Sequence, residues 1–115
     1  MKKKIKSSTK TGARGYVKYP GTNWKEVQIS WYKDLQRLIG GFFQIVPIAE
    51  KLTLYCDDEG KLKNLESNLL WLDGEDVIDV LVGPVVVLGP VDREGSDTDA
   101  TLETLKLLEK HCAPI

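Results

Sequence analysis

Apolar and polar residues alternate through "GYVKY" and again through "WKEVQI", with "PGTN" between the two runs. Alternation at a period of two puts successive side chains on opposite faces of a strand, so the pattern predicts strand, turn, strand from Gly15 to Ile29. Pro20 presets φ at the first turn position, and Gly21 and Asn23 accept the backbone angles of a tight reversal. The period then lengthens. In "SWYKDLQRLIGG", Trp31, Leu35, Leu38 and Ile39 recur at helical spacing. This predicts a short amphipathic helix over 31–39, with Ser30 as N-cap and Gly40 in the left-handed position after the last turn.

Strand-like patterning returns in "FFQIVPI" and "KLTLYC", joined by "AEK", where Leu52, Leu54 and Cys56 alternate with Lys51, Thr53 and Tyr55. An antiparallel pair with one buried face follows. "DDEG" at 57–60 has the acids early and the glycine last, as a type I turn prefers. "LLWL", the turn "DGED", "VIDVLVG" and "PVVVLG" continue the strand pattern, and Pro84, which cannot donate to a ladder, marks a bulge, an edge or a corner. After the polar loop "PVDREGSDTD", the segment "TDATLETLKLLEKHC" places Leu102, Leu105 and Leu108 on one stripe. Asp99 stands near its start and Lys110 near its end, as the helix dipole favours. The whole reads as an α+β domain: a mainly antiparallel sheet of five to seven strands, a short central helix and a C-terminal helix.

Length and composition fit one domain. A chain of 115 residues that is 42% hydrophobic and 29% charged builds one modest core. The longest apolar run, Val80 to Val91, is broken by Gly83, Pro84, Gly89 and Pro90 and is too short to cross a bilayer. The start has a signal peptide's positive charge without an apolar centre, which points to a cytoplasmic protein. Two cysteines, Cys56 and Cys112, are too few for a disulfide scaffold. The net charge of -1 hides an asymmetry: residues 1–14 hold six basic residues and no acid, leaving ten basic against seventeen acidic residues in 15–115. The sequence thus divides into a basic, solvated N-terminal arm (1–14) and a single acidic domain (15–115). The acidic body repels nucleic acid, so DNA or RNA contact is expected only through the arm.

Few chemistries survive inspection. Gly60-Lys61 is the sole Gly-Lys pair, yet Tyr55 and Leu62 stand where a phosphate-binding loop needs glycine and a hydroxyl. One histidine, His111, cannot complete a zinc site with Cys56, and a Cys56–His111 nucleophilic pair is far less expected than a packed cysteine. Asp92, Glu94, Asp97 and Asp99 lack the spacing of a calcium loop. Asp57, Asp58 and Glu59 are adjacent turn acids that point into water, an environment unsuited to acid–base work. No catalytic residue, metal or cofactor is therefore expected. Trp24, Trp31 and Trp71 read as packing residues, and any that is exposed becomes an interface anchor.

The segments "LQRLIGGFFQIVPI", "LTLYCDDEGKLKNLESN" and "DVIDVLVGPVVVLG" together resemble a domain-of-unknown-function family, number 3846, found in bacteriophages, plasmids and their bacterial hosts. The likeness runs from about Tyr16 to Leu108, on Ile39-Gly40-Gly41, Asp58-Glu59-Gly60-Lys61-Leu62, Asn68 and Gly83. The family transfers no activity. Beside it, the donors Lys61, Lys63 and Asn68 near Tyr55, with Arg37, suggest a binder of a small polar ligand. With the mobile-element kinship, this implies a non-enzymatic sponge for a nucleotide-like signal of host defence. The alternatives are turn-plus-backbone support for the same residues and, at the level of function, a module that inhibits or adapts a host protein through an acidic surface or sheet edge. Open sheet edges also suggest a homo-oligomer.

Overall fold

The computed structural model describes residues 12–90, 92–94 and 98–115. The first hairpin is β1 (Ala13–Lys18) and β2 (Lys25–Ile29), joined by a turn in which Thr22 N–H donates to Tyr19 O at 3.0 Å. Pro20 occupies its first central position and Gly21, at φ +80°, its second, the arrangement of a type II turn. The strand begins at Ala13, so Ala13 and Arg14 belong to the sheet rather than to the expected basic arm. Arg14 N–H donates to Asp99 Oδ1 at 2.7 Å. The rest of that arm, 1–11, lies outside the described residues.

Helix α1 (Tyr32–Ile39) buries Leu35 and Ile39 and ends at Gly40, whose φ of +95° only glycine adopts freely. Its N-cap is Trp31, not Ser30. The indole has no acceptor to offer, and Asp34 instead reaches back to the N–H groups of Ser30 (2.7 Å) and Trp31 (3.2 Å). The chain continues through β3 (Phe43–Ala49), β4 (Leu52–Asp57), β5 (Ser67–Asp73), β6 (Asp76–Val82), β7 (Val85–Val87), α2 (Leu102–His111) and β8 (Cys112–Pro114).

The eight strands form two antiparallel sheets, not the single sheet of five to seven strands expected. One has the order β2-β1-β7-β4-β3, the other β6-β5-β8. The extra strand, β8, begins at Cys112, the last residue of the segment read from sequence as the terminal helix. Gly83-Pro84 is a corner at which the chain leaves the small sheet and enters the centre of the large one. Gly83 takes φ +72°, and a Cβ there would lie 2.6 Å from Leu65 Cδ1.

Strand β7 explains the layering. Val85, Val86 and Val87 are all fully buried, because both faces of the large sheet are covered. Val86 belongs with Val17, Ile29, Leu35, Ile39 and Tyr55 in a core on the α1 side. Val85 and Val87 pack with Leu54, Leu69, Leu81 and Leu108 on the side of the small sheet and α2. A central strand buried on both faces has no polar alternation, hence the run of valines.

Helix α2 departs from the expected stripe. Leu102 is 75% exposed, whereas Thr104 and Leu108 are buried. Thr101 caps the helix, and Thr104 Oγ1 accepts from Thr101 N–H at 3.0 Å.

Candidate functional site

The segment after β4 is a folded turn tied down by ion pairs. Lys63 Nζ meets Asp57 Oδ2 at 2.7 Å, and Asp57 Oδ1 accepts Glu59 N–H at 2.8 Å. Burial pushes the Asp57 carboxyl up, but these hydrogen bonds outweigh it, and its pKa ends below the usual 3.8. Lys61 Nζ meets Asp79 Oδ1 at 2.6 Å, and that contact first, with the Val80 N–H behind it, holds Asp79 below the ordinary carboxylate value. Between this turn, Gln44 and Cys56 on one side and Asp79, Val80 and Val82 on the other lies an open cleft of about 130 Å³.

The five side chains expected to share a ligand do not form one site. Tyr55 is buried in the α1-side core, edge-on to Phe43 with ring centroids 5.6 Å apart. Asn68 is fully buried on the opposite side of the large sheet. Its Nδ2 donates to Lys18 O and Gly83 O, both at 2.7 Å, while its Oδ1 accepts from Lys18 Nζ at 2.6 Å. Arg37 lies on α1 and pairs with Asp34 at 3.0 Å. Only Lys61 and Lys63 flank the same turn, each already holding a carboxylate. For Asn68 the structure shows the backbone-supporting role.

The remaining chemistry is structural. Burial raises the Cys56 thiol, whose polar neighbour is Gln44 Nε2 at 3.5 Å, and burial pushes Cys112 up to about 11. No hydrogen bond joins Cys56 to His111 among the described residues. Asp92 Oδ1 accepts Glu94 N–H and Asp99 accepts Arg14 N–H; Asp97 lies outside the described residues. No group of three metal-ligating side chains converges among the described residues. Of the tryptophans, Trp24 and Trp71 pack against the core, and Trp31 is 46% exposed, edge-on to Tyr32.

Sequence reasoning missed a surface. In β5, Leu69 and Trp71 point inward to the shared core, so their neighbours Leu70 and Leu72 point outward. Register places Leu70 between Ala113 of β8 and Val80 of β6, and Leu72 opposite Val77. None of these five belongs to either core. Val80 stands at the rim of this face, where it also lines the cleft beside the 57–62 turn. The signal was present in "LLWL", which is apolar on both faces although one face of its strand lies outside both cores.

The sheet edges are protected. Edge strand β3 contains Pro47 and an irregularity beside it, β6 carries a bulge, β8 has three residues including Pro114, and β2 presents Lys25, Glu26 and Gln28. Such features discourage strand addition.

Taken together, these features define an α+β domain of three layers, in which α1 covers one face of a five-stranded sheet and a small sheet with α2 covers the other. The chain belongs to the family described as Domain of unknown function (DUF3846), which it matches over residues 13–113. Comparisons with curated proteins and with solved structures return no match. No helix among the described residues is long and apolar enough to cross a membrane.

Proposed function

We propose that this chain is a non-enzymatic protein-interaction module that blocks or adapts a partner through the outer face of the small sheet. The observation that carries the reading is the row Ala113–Leu70–Val80, extended by Leu72 and Val77, an apolar surface outside both cores whose Val80 edge borders the cleft beside the 57–62 turn. Isolated apolar side chains on a surface need no explanation, but a contiguous set on one sheet face does. Because the strand edges are protected, the face rather than an edge supports the contact. Carried by a phage or plasmid, such a module acts on a protein of the bacterial host.

The second reading, a sponge for a nucleotide-like signal, draws on the cleft beside Lys61. It has less support, since carboxylates line that cleft and both lysines of the turn are paired. A thermal-shift screen against nucleotides tests it, and a stabilising nucleotide would make it the leading reading.

For the interaction reading, a photo-crosslinking residue is placed at Val80 and, as a control, at the exposed Leu102. One protein captured in host lysate from position 80 alone, with less capture at high salt, is expected. Capture from neither position, or equally from both, overturns the reading.

A further inference from the structure

The partner's chemistry can be read from what frames the face. From residue 64 to residue 90 the chain has five acids, Glu66, Asp73, Glu75, Asp76 and Asp79, and not one lysine or arginine. Asp73, Glu75 and Asp76 are exposed at the tip of the β5–β6 hairpin, directly beyond Leu72 and Val77. Glu66 is exposed at the other end, just before β5. Among the described residues, of these five only Asp79 has a lysine partner, Lys61, which comes from the preceding turn. An apolar strip is thus bracketed along its length by carboxylates that lack counter-charges within the hairpin.

From this we infer that the outer face of β6-β5-β8 takes a cationic amphipathic segment of another protein, its apolar side on Leu70, Leu72 and Val80 and its basic residues on the acids at the two ends. The inference rests on the interaction reading above and adds the partner's class. Charge complementarity selects this occupant over others. The acids repel an anionic membrane and a nucleic acid, both of which need a basic surface. A second copy of the chain would set one acid-framed face against another, with like charges opposed.

The test uses the full chain and three synthetic peptides of about 18 residues, long enough for an amphipathic helix. One has a leucine face and a lysine face, the second keeps the leucines and replaces every lysine by glutamate, and the third scrambles the first so that it has no face. Binding is followed by fluorescence anisotropy and mapped by amide chemical shifts. The leucine–lysine peptide is expected to bind at least about tenfold more tightly than either other peptide, with shifts at Leu70, Leu72, Val80 and Ala113. Asp73→Lys together with Asp76→Lys, both exposed strand ends flanking the turn whose change should not disturb folding, should weaken it about tenfold. Leu70→Gln, checked for an unchanged thermal transition, should do the same.

If the glutamate peptide binds as well at the same residues, the face is an interaction surface and the cationic assignment is wrong. If the scrambled peptide matches the first, only diffuse charge attraction is at work and the assignment is likewise wrong. Self-association that occupies the face, or no shift at these residues with any peptide, overturns the inference; the crosslinking experiment then decides whether the broader reading survives.

Discussion

Asn68 holds the ammonium of Lys18 in the interior: Nζ and Oδ1 are 2.6 Å apart, with Asn68 O a second acceptor at 3.4 Å and both side chains buried. No carboxylate pairs with this amine among the described residues. The amide therefore ties β1 of the large sheet to β5 of the small one and, through Gly83 O, to the corner between β6 and β7. Replacing Asn68 by alanine removes an acceptor from a buried charge and both donors from backbone carbonyls. We expect a loss of about 3 kcal/mol, measured by urea unfolding. Lys18→Met combined with Asn68→Leu should recover part of that loss, since no charge is left without a partner.

Burial lowers the pKa of Lys18 from 10.5. The unfolded chain then binds the proton more tightly than the folded one between the depressed value and 10.5, so this residue makes stability rise with pH in that window. Urea midpoints measured at a series of pH values approaching 10.5 from below should show a contribution of this sign that Lys18→Met lacks. An identical pH dependence in the two proteins would show that the amine is not perturbed.

Asp57 gives a slope of the same sign for a different reason, because folding favours its charged form. Its folded pKa lies below 3.8, so its stabilisation is present above that value and lost as pH falls through the folded pKa. Lys63→Met leaves burial as the dominant influence and raises the carboxyl. Acid unfolding followed by circular dichroism should then start at a higher pH than in the parent.

Two glycines with positive φ separate backbone strain from crowding. A Cβ at Gly40 meets nothing within 4 Å, so Gly40→Ala should cost only the conformational term, about 1 kcal/mol. At Gly83 the same change also pushes into Leu65. Gly83→Ala should be the more destabilising of the two in thermal unfolding.

Leu102 and Leu108 test which side of α2 faces the core. Leu102→Lys should change stability by less than about 0.5 kcal/mol, whereas Leu108→Ala should cost about 2–5 kcal/mol.

Much of the local structure was legible because single residues enforce it. Pro20-Gly21 sets the first turn, Gly40 ends α1 and Pro84 marks the corner, whereas the β4 alternation shows only one of two buried sides, since Tyr55 is buried as well. What was not legible depends on contacts between distant segments. Nothing near Asn68 announces that Lys18, fifty positions earlier, will bring an amine to it, so Asn68 read as a ligand donor when it is internal scaffolding. Ser30 looked like the better cap because Asp34's reach back to the preceding N–H groups depends on the bend at Trp31. The three-residue β8 is strand only because β5 offers it an edge. Leu102 followed the helical repeat, but a repeat cannot say which leucine overhangs the end of the layer beneath.

The position of β7 also sets the order in which the large sheet can be assembled. The β1–β2 and β3–β4 hairpins are not neighbours in the sheet; among the described residues, the strand Val85–Val87 pairs with both and links them. During synthesis, both hairpins leave the ribosome with an unpaired inner edge and wait for this tripeptide, so the nascent chain passes through a stage prone to misassociation that the finished domain no longer shows.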